Sequence, residues 1–283
     1  MHITFWGVRG FIPVPGAQSV RYGGNTICVG IECDDGTRLA LDAGTGLSVW
    51  GRKLLGTDLG KGKGEFNLVI THSHYDHVQG FSFFIPALIP GNKIRVFGMD
   101  ETNLSAEDIL ESQMTPIFSP MQTLKNFGSI ITYPQLSSSG TEPVGSMELS
   151  LIDVPHATSR ALAVKMKAEG GTVVYAPDVV YENAPSCERL INFYRGADVL
   201  IHDSTSTVHY NDILSSDFSN DYHDAVTVAG KAGVKRLFLI HYHQEMTDDN
   251  LDSLLEDART YAREQGYLDL HISLAQEGYT LSL

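Results

Sequence analysis

A chain of 283 residues, 42% hydrophobic and 19% charged, is long enough for one large α/β domain or two small ones and is neither disordered nor fibrous. Its 20 Lys and Arg stand against 34 Asp and Glu, a net charge of −14 with histidine neutral. That balance argues against a broad surface that neutralises a phosphate backbone, because such binding draws its affinity from Lys and Arg.

The opening residues Met1-His2-Ile3-Thr4-Phe5-Trp6-Gly7 lack the basic stretch and apolar run of a signal peptide, and no run approaches the length of a membrane span. A cytoplasmic chain without membrane contact is expected. Residues 3–6, 26–33 and 37–42 are apolar or alternating and rich in β-branched side chains between Gly and Asp turn signals, so they read as strands of a meander. Cys28, Cys33 and Cys187 are odd in number and form no C-x-x-C pair, which points to buried thiols and away from disulfides or a thiolate zinc site.

Further along, four short apolar runs lead into polar residues: 66–70 into Thr71-His72-Ser73-His74-Tyr75-Asp76-His77, 172–175 into Asp178, 199–201 into His202-Asp203, and 236–240 into His241. Between and after them lie helical patterns at 186–196, 224–232 and 248–265, the last with Leu251, Leu254 and Leu255 at helix spacing. Helices flanking a sheet, an α/β class, follow. No internal repeat or linker marks a boundary, so residues 1–283 read as one domain. Residues 100–140, with Pro116, Pro120 and Pro134, are weakest in periodicity and read as a loop excursion over the site. Phe81 to Pro90 is unusually apolar. Core is its default reading, with homodimer contact or seating of an apolar substrate as the alternatives.

The strongest chemical signal is His72-x-His74-x-Asp76-His77. In extended chain, residues i and i+2 point the same way, so His72 and His74 can grip one ion while the following turn swings Asp76 and His77 towards a second. Imidazole suits zinc, iron and manganese alike, and carboxylates beside imidazoles match a hydrolytic two-metal site. Asp178 and Asp203 both end apolar strands and compete for the same role. His241 ends an apolar run directly and is preferred over His243 on that ground, although i and i+2 share a face.

Here the sequence resembles the metallo-β-lactamase superfamily and, within it, the ribonuclease Z and class II cyclic-nucleotide phosphodiesterase branch. The resemblance rests on Trp6-Gly7-Val8-Arg9-Gly10, Arg21-Tyr22-Gly23-Gly24-Asn25-Thr26, Leu41-Asp42-Ala43-Gly44-Thr45-Gly46, the histidine motif and a last strand ending in His241. It implies an αββα sandwich, two mixed β-sheets flanked by helices, with two divalent ions at one edge: zinc, with manganese or iron as alternatives. His72, His74 and His156 would bind the first, Asp76, His77 and His241 the second, and Asp178 would bridge them, with Asp203 outside the ligand set. It also implies that Asp42 accepts a hydrogen bond from a ligand histidine. His223 would protonate a leaving oxygen, although its surroundings, Tyr222-His223-Asp224-Ala225, match the branch only in part. Asp224 would orient its ring or cap the helix. Asp76 and His223 are thus the candidate catalytic residues.

The chemistry that follows is metal-assisted hydrolysis, in which water between two cations loses its proton near neutral pH. Gly23-Gly24 and Gly44-x-Gly46 read as turns, not as a phosphate-cradling loop. A phosphodiesterase on small diesters of the cyclic-nucleotide kind is the first expectation, with nucleic acid not expected as partner. A tRNA-processing nuclease, a lactone, thioester or β-lactam hydrolase, an iron-bound oxidoreductase on the same scaffold and an inactive metal-binding protein are the alternatives.

Overall fold

A computed structural model describes the chain except residues 99–104, 116, 118, 120–122, 135–140, 157–158, 182–183 and 205–220. The N-terminal apolar runs form the expected meander: β1 (His2–Gly7), β2 (Cys28–Glu32) and β3 (Arg38–Leu41) pair antiparallel in turn. After α1 (Thr45–Leu54) the chain returns as β4 (Glu65–Val69), parallel to β3. Two short helices, α2 (Tyr75–Val78) and α3 (Ile85–Leu88), then lead to β5 (Lys93–Phe97), and α4 (Ala106–Ser112) precedes β6 (Ile130–Thr132), both strands parallel to their predecessors.

The second half repeats this plan. β7 (Thr141–Val144), β8 (Met147–His156), β9 (Ser159–Ala168) and β10 (Gly171–Ala176) run antiparallel in order. Then α5 (Ala184–Tyr194), β11 (Val199–Asp203), α6 (Tyr222–Ala232), β12 (Arg236–Ile240), α7 (Asp248–Glu264) and β13 (His271–Leu274) alternate, with the strands parallel. β14 (Thr280–Ser282) closes the first sheet against β1. The result is two mixed seven-stranded sheets, β14-β1-β2-β3-β4-β5-β6 and β13-β12-β11-β10-β9-β8-β7, flanked by helices.

Apolar burial explains the layering. One cluster joins Ile3, Phe5, Val29 and Leu41 of the first sheet to Val164, Tyr175 and Leu200 of the second and to residues of α5, α6 and α7. A second joins Trp50, Phe66, Phe84, Ile94 and Leu110 of the first sheet and its helices. In the apolar run 81–90, Phe81, Phe84 and Ala87 are wholly buried, which makes that run core, while Phe83 is exposed. The stretch 100–140 is more regular than its prolines imply. Its described part holds α4, opened by a reciprocal Ser105–Asp108 capping box, and edge strand β6; residues 99–104, 116, 118, 120–122 and 135–140 lie outside the described residues. Gly44-x-Gly46 is likewise not a turn. Gly44 is the N-cap of α1, and Gly46 lies in its first turn, where a Cβ would stand 2.5 Å from the Trp6 backbone. Among the described residues no helix is long and apolar enough to cross a membrane.

Candidate metal centre

Each candidate ligand is delivered by the end of a strand. After β4 the chain passes through His72 and on to His74, which is extended as the N-cap of α2; that short helix then turns Asp76 and His77 into the interior. His156 is the last residue of β8, Asp178 follows β10, and His241 follows β12 directly. Among the described residues four non-glycines have left-handed φ: Phe11 at 65°, Asp42 at 62°, Asp178 at 48° and His241 at 65°. Such conformations are costly without glycine and persist only where the surroundings fix them. Here all four border one cluster: Asp42, Asp178 and His241 redirect the chain just after a strand and turn their side chains inward, whereas Phe11 brings its amide to Asp76 and leaves its ring partly exposed.

The cluster holds two groups of ligand-type residues, His72, His74, His156 and Asp178, and Asp76, His77 and His241, whose ligand atoms lie within 4.8 Å of one another in each group. Asp178 stands between them. Its Oδ2 is 3.3 Å from His72 Nε2 and 3.8 Å from His156 Nε2, while its Oδ1 is 3.1 Å from His241 Nε2. Oδ2 also lies 3.4 Å from His77 Nε2. In the second group Asp76 Oδ2 is 3.0 Å from His241 Nε2 and 3.5 Å from His77 Nε2.

These atoms fit cations better than they fit one another. His72 Nε2 and Asp178 Oδ1 are buried without a hydrogen-bond partner, a costly state for polar atoms that a positive ion would relieve. Imidazole nitrogens also converge in pairs, His77 Nε2 on His241 Nε2 at 3.3 Å and His156 Nε2 on His74 Nδ1 at 3.1 Å. Burial pushes the His156 pKa down to about 4, against the opposing pull of Asp178, so its ring is neutral near pH 7 and carries a lone pair for a cation. Burial also opposes ionisation of Asp178, yet His241 and His77 hold its carboxyl well below the usual carboxylate range. The donor set of imidazoles and carboxylates suits zinc, manganese or iron.

Behind the ligands a second set of contacts fixes ring orientation. Asp42 Oδ2 accepts from His77 Nδ1 at 2.8 Å and from the Tyr175 hydroxyl at 2.7 Å, while Oδ1 accepts from the Thr71 amide at 2.8 Å. With Nδ1 tied to a carboxylate, His77 turns Nε2 to the cluster. The sequence resemblance implies a histidine partner for Asp42; Tyr175 was not legible, since it sits inside an apolar run and reads as core. Gly10 closes the other side. A Cβ there would stand 2.4 Å from the His241 ring. Phe11 was also missed: its amide donates to Asp76 Oδ2 at 2.7 Å. Its only signal in the sequence is an apolar pair, Phe11-Ile12, in a segment bounded by Gly10 and Gly16.

The remaining candidates stand outside both ligand groups. Asp203 is buried beside His202, whose Nδ1 lies 3.1 Å from its Oδ1, and the far side of that ring meets the Tyr181 hydroxyl at 2.7 Å. The His243 ring packs against Phe11, with Nδ1 accepting from the Glu245 amide. His223 lies in the first turn of α6, half-exposed, stacked on Tyr222 and edge-on to Tyr261; none of its described contacts is to the seven ligand candidates. Its carboxylate partner is Asp221, not Asp224: Asp221 Oδ2 is 2.8 Å from His223 Nδ1, and the same side chain accepts from the His223 amide as N-cap. The reason is positional, because a cap must precede the helix and α6 begins at Tyr222, two residues before the pattern in the sequence.

Residues 37–242 match the family model described as the beta-lactamase superfamily domain. Ribonuclease Z of Thermoplasma acidophilum is 35% identical over 96 residues, which cover 34% of this chain and 29% of that protein. The match thus spans less than a third of that relative. The metallo-beta-lactamase fold protein YhfI from Bacillus subtilis superposes with a TM-score of 0.68 at 18% identity, covering 100% of this chain and 98% of the other. The short form of human tRNase Z superposes with a TM-score of 0.64 at 17% identity, covering 100% and 99%. At such identities the structural likeness is one of fold.

Proposed function

The chain belongs to the metallo-β-lactamase superfamily, and from that membership we propose that it is a two-metal hydrolase of small phosphodiesters of the cyclic-nucleotide kind. The observation that carries the reading is the carboxylate of Asp178, which lies between the two groups, with one oxygen 3.1 Å from His241 and the other 3.3 to 3.8 Å from His72, His77 and His156. His72, His74 and His156 would hold one cation and Asp76, His77 and His241 the other, with Asp178 shared; zinc is the expected metal. When bound, the cations supply an acidified water and positive charge for the phosphoryl oxygens.

The chain's own residues supply the rest. Asp42 fixes the tautomer of His77 from behind, and the Phe11 amide orients the Asp76 carboxylate. His223 is assigned the general-acid role. Asp221 engages its Nδ1, so Nε2 is the nitrogen that can give a proton to a leaving oxygen.

A second reading, an RNA-processing nuclease, is favoured by the similarity to ribonuclease Z. Charge favours the small substrate. An RNA backbone gripped through several Lys and Arg releases counterions, so its binding weakens steeply with salt, and this chain carries a net −14. The test is kcat/KM for a cyclic nucleotide measured from low to physiological salt, then repeated with excess tRNA. A change within about threefold and weak competition by tRNA are expected, against losses of roughly a thousandfold for a protein with many phosphate contacts. Strong tRNA inhibition relieved by salt would promote the nuclease.

A further inference from the structure

We propose that Phe11 is a specificity-determining residue, an aromatic platform on which the base of a nucleotide substrate stacks while its phosphate lies at the metal centre. The proposal rests on the phosphodiesterase reading and narrows its substrates to diesters that carry an aromatic base.

Three observations converge on this ring. Phe11 is the centre of a three-residue turn closed by the Ile12 amide on the Gly10 carbonyl at 2.9 Å, with φ at 65°. A turn of that kind is rare and strained for a β-carbon residue. It is held by the Phe11 amide on Asp76 Oδ2 at 2.7 Å and by the Gly10 amide on the Tyr242 carbonyl. The strained backbone therefore fixes an aromatic side chain directly beside a candidate ligand.

The ring is anchored yet open. It lies edge-on to His243 with centroids 5.2 Å apart and tilted against His241 at 5.9 Å, while the residue stays 45% exposed. Neighbouring Ile12 and Tyr75, the residue before Asp76, are more exposed still. Large apolar side chains left open at the rim of a buried polar cluster are the mark of a binding surface.

Arg9, the cation next to this turn in sequence, is fully buried and donates to the carbonyls of Gly23 and Met246. Arg9 is thus committed inside the fold and is not offered to a substrate at this turn. A base stacked on an aromatic ring gains roughly tenfold or more in affinity, and a ring already fixed loses little freedom on binding.

The test uses zinc-loaded protein and calorimetric binding of two probes that differ by the base, AMP and ribose 5-phosphate. Wild type is expected to favour AMP by about tenfold or more. The ratio should fall towards one in Phe11→Ala and Phe11→Leu and persist in Phe11→Trp. The Leu and Trp variants both keep bulk at the position, so their contrast isolates the π face. No preference in wild type, or a preference that survives Phe11→Leu, would overturn the proposal. Turnover of methyl 4-nitrophenyl phosphate by wild type is the separate check on the hydrolase reading. An AMP preference lost in Phe11→Leu without turnover would fail that reading alone, and turnover without the preference would fail the platform alone.

Discussion

His223 and the seven clustered residues differ in how the chain holds them. Six of the seven are buried, with His74 exposed, whereas His223 rides on the first turn of α6, held by its own N-cap Asp221. Protonation of a leaving oxygen matters most when that oxygen leaves poorly, so His223→Ala should slow a ribose or alkyl diester by roughly a hundredfold or more. A nitrophenyl diester should lose much less. An equal loss on both, with metal content unchanged, would make His223 a binding or structural residue. At this scale the histidine motif was legible because four ligand-type residues fall within six positions. His156, Asp178 and His241 are single residues far apart in sequence; the resemblance selected His156, and Asp178 over Asp203, while His241 was preferred over His243 because it directly ends an apolar run. Tyr175 and Phe11 stayed hidden because an apolar ring reads as core or loop, and only its position gives its hydroxyl or amide a role.

At the scale of elements, the strand ends do the positioning. Asp42, Asp178 and His241 follow β3, β10 and β12, and each takes a left-handed φ that turns its side chain towards the centre. The segment after β1 lies against the end of β12, with the Tyr242 amide on the Val8 carbonyl and the Gly10 amide on the Tyr242 carbonyl. Gly10→Ala should therefore push the His241 ring aside, since a Cβ at 2.4 Å leaves no room. The expected result is metal content falling from about two ions towards one per chain, because the three atoms nearest that Cβ all belong to His241, a residue of the second ligand group. Full retention of both ions would show that the ring adapts. The apolar strands β4, β10, β11 and β12 were legible as short runs ending in polar residues. Of β8 only the apolar strand just before His156 is legible, because Glu148, Asp153 and Pro155 interrupt the rest, and its full length comes from pairing with β9. α1 was hidden by its glycines, of which Gly46 packs against the Trp6 backbone and Gly51 against the side chains of Phe84 and Pro86.

At the scale of the whole molecule, each sheet has three antiparallel pairings followed by three parallel ones. This repeat of plan has no counterpart as a sequence repeat, since the two halves share pairing geometry and not side chains. Its consequence is that both sheets send ligand candidates to one junction, His72 to His77 from the first and His156, Asp178 and His241 from the second. Two cations shared across that junction by Asp178 are the central claim. The most direct measurement is elemental analysis of purified wild type, Asp178→Ala and Asp203→Ala. About two ions per wild-type chain are expected, with Asp178→Ala depleted at both sites and Asp203→Ala keeping at least one. Full metal retention in Asp178→Ala would contradict the account.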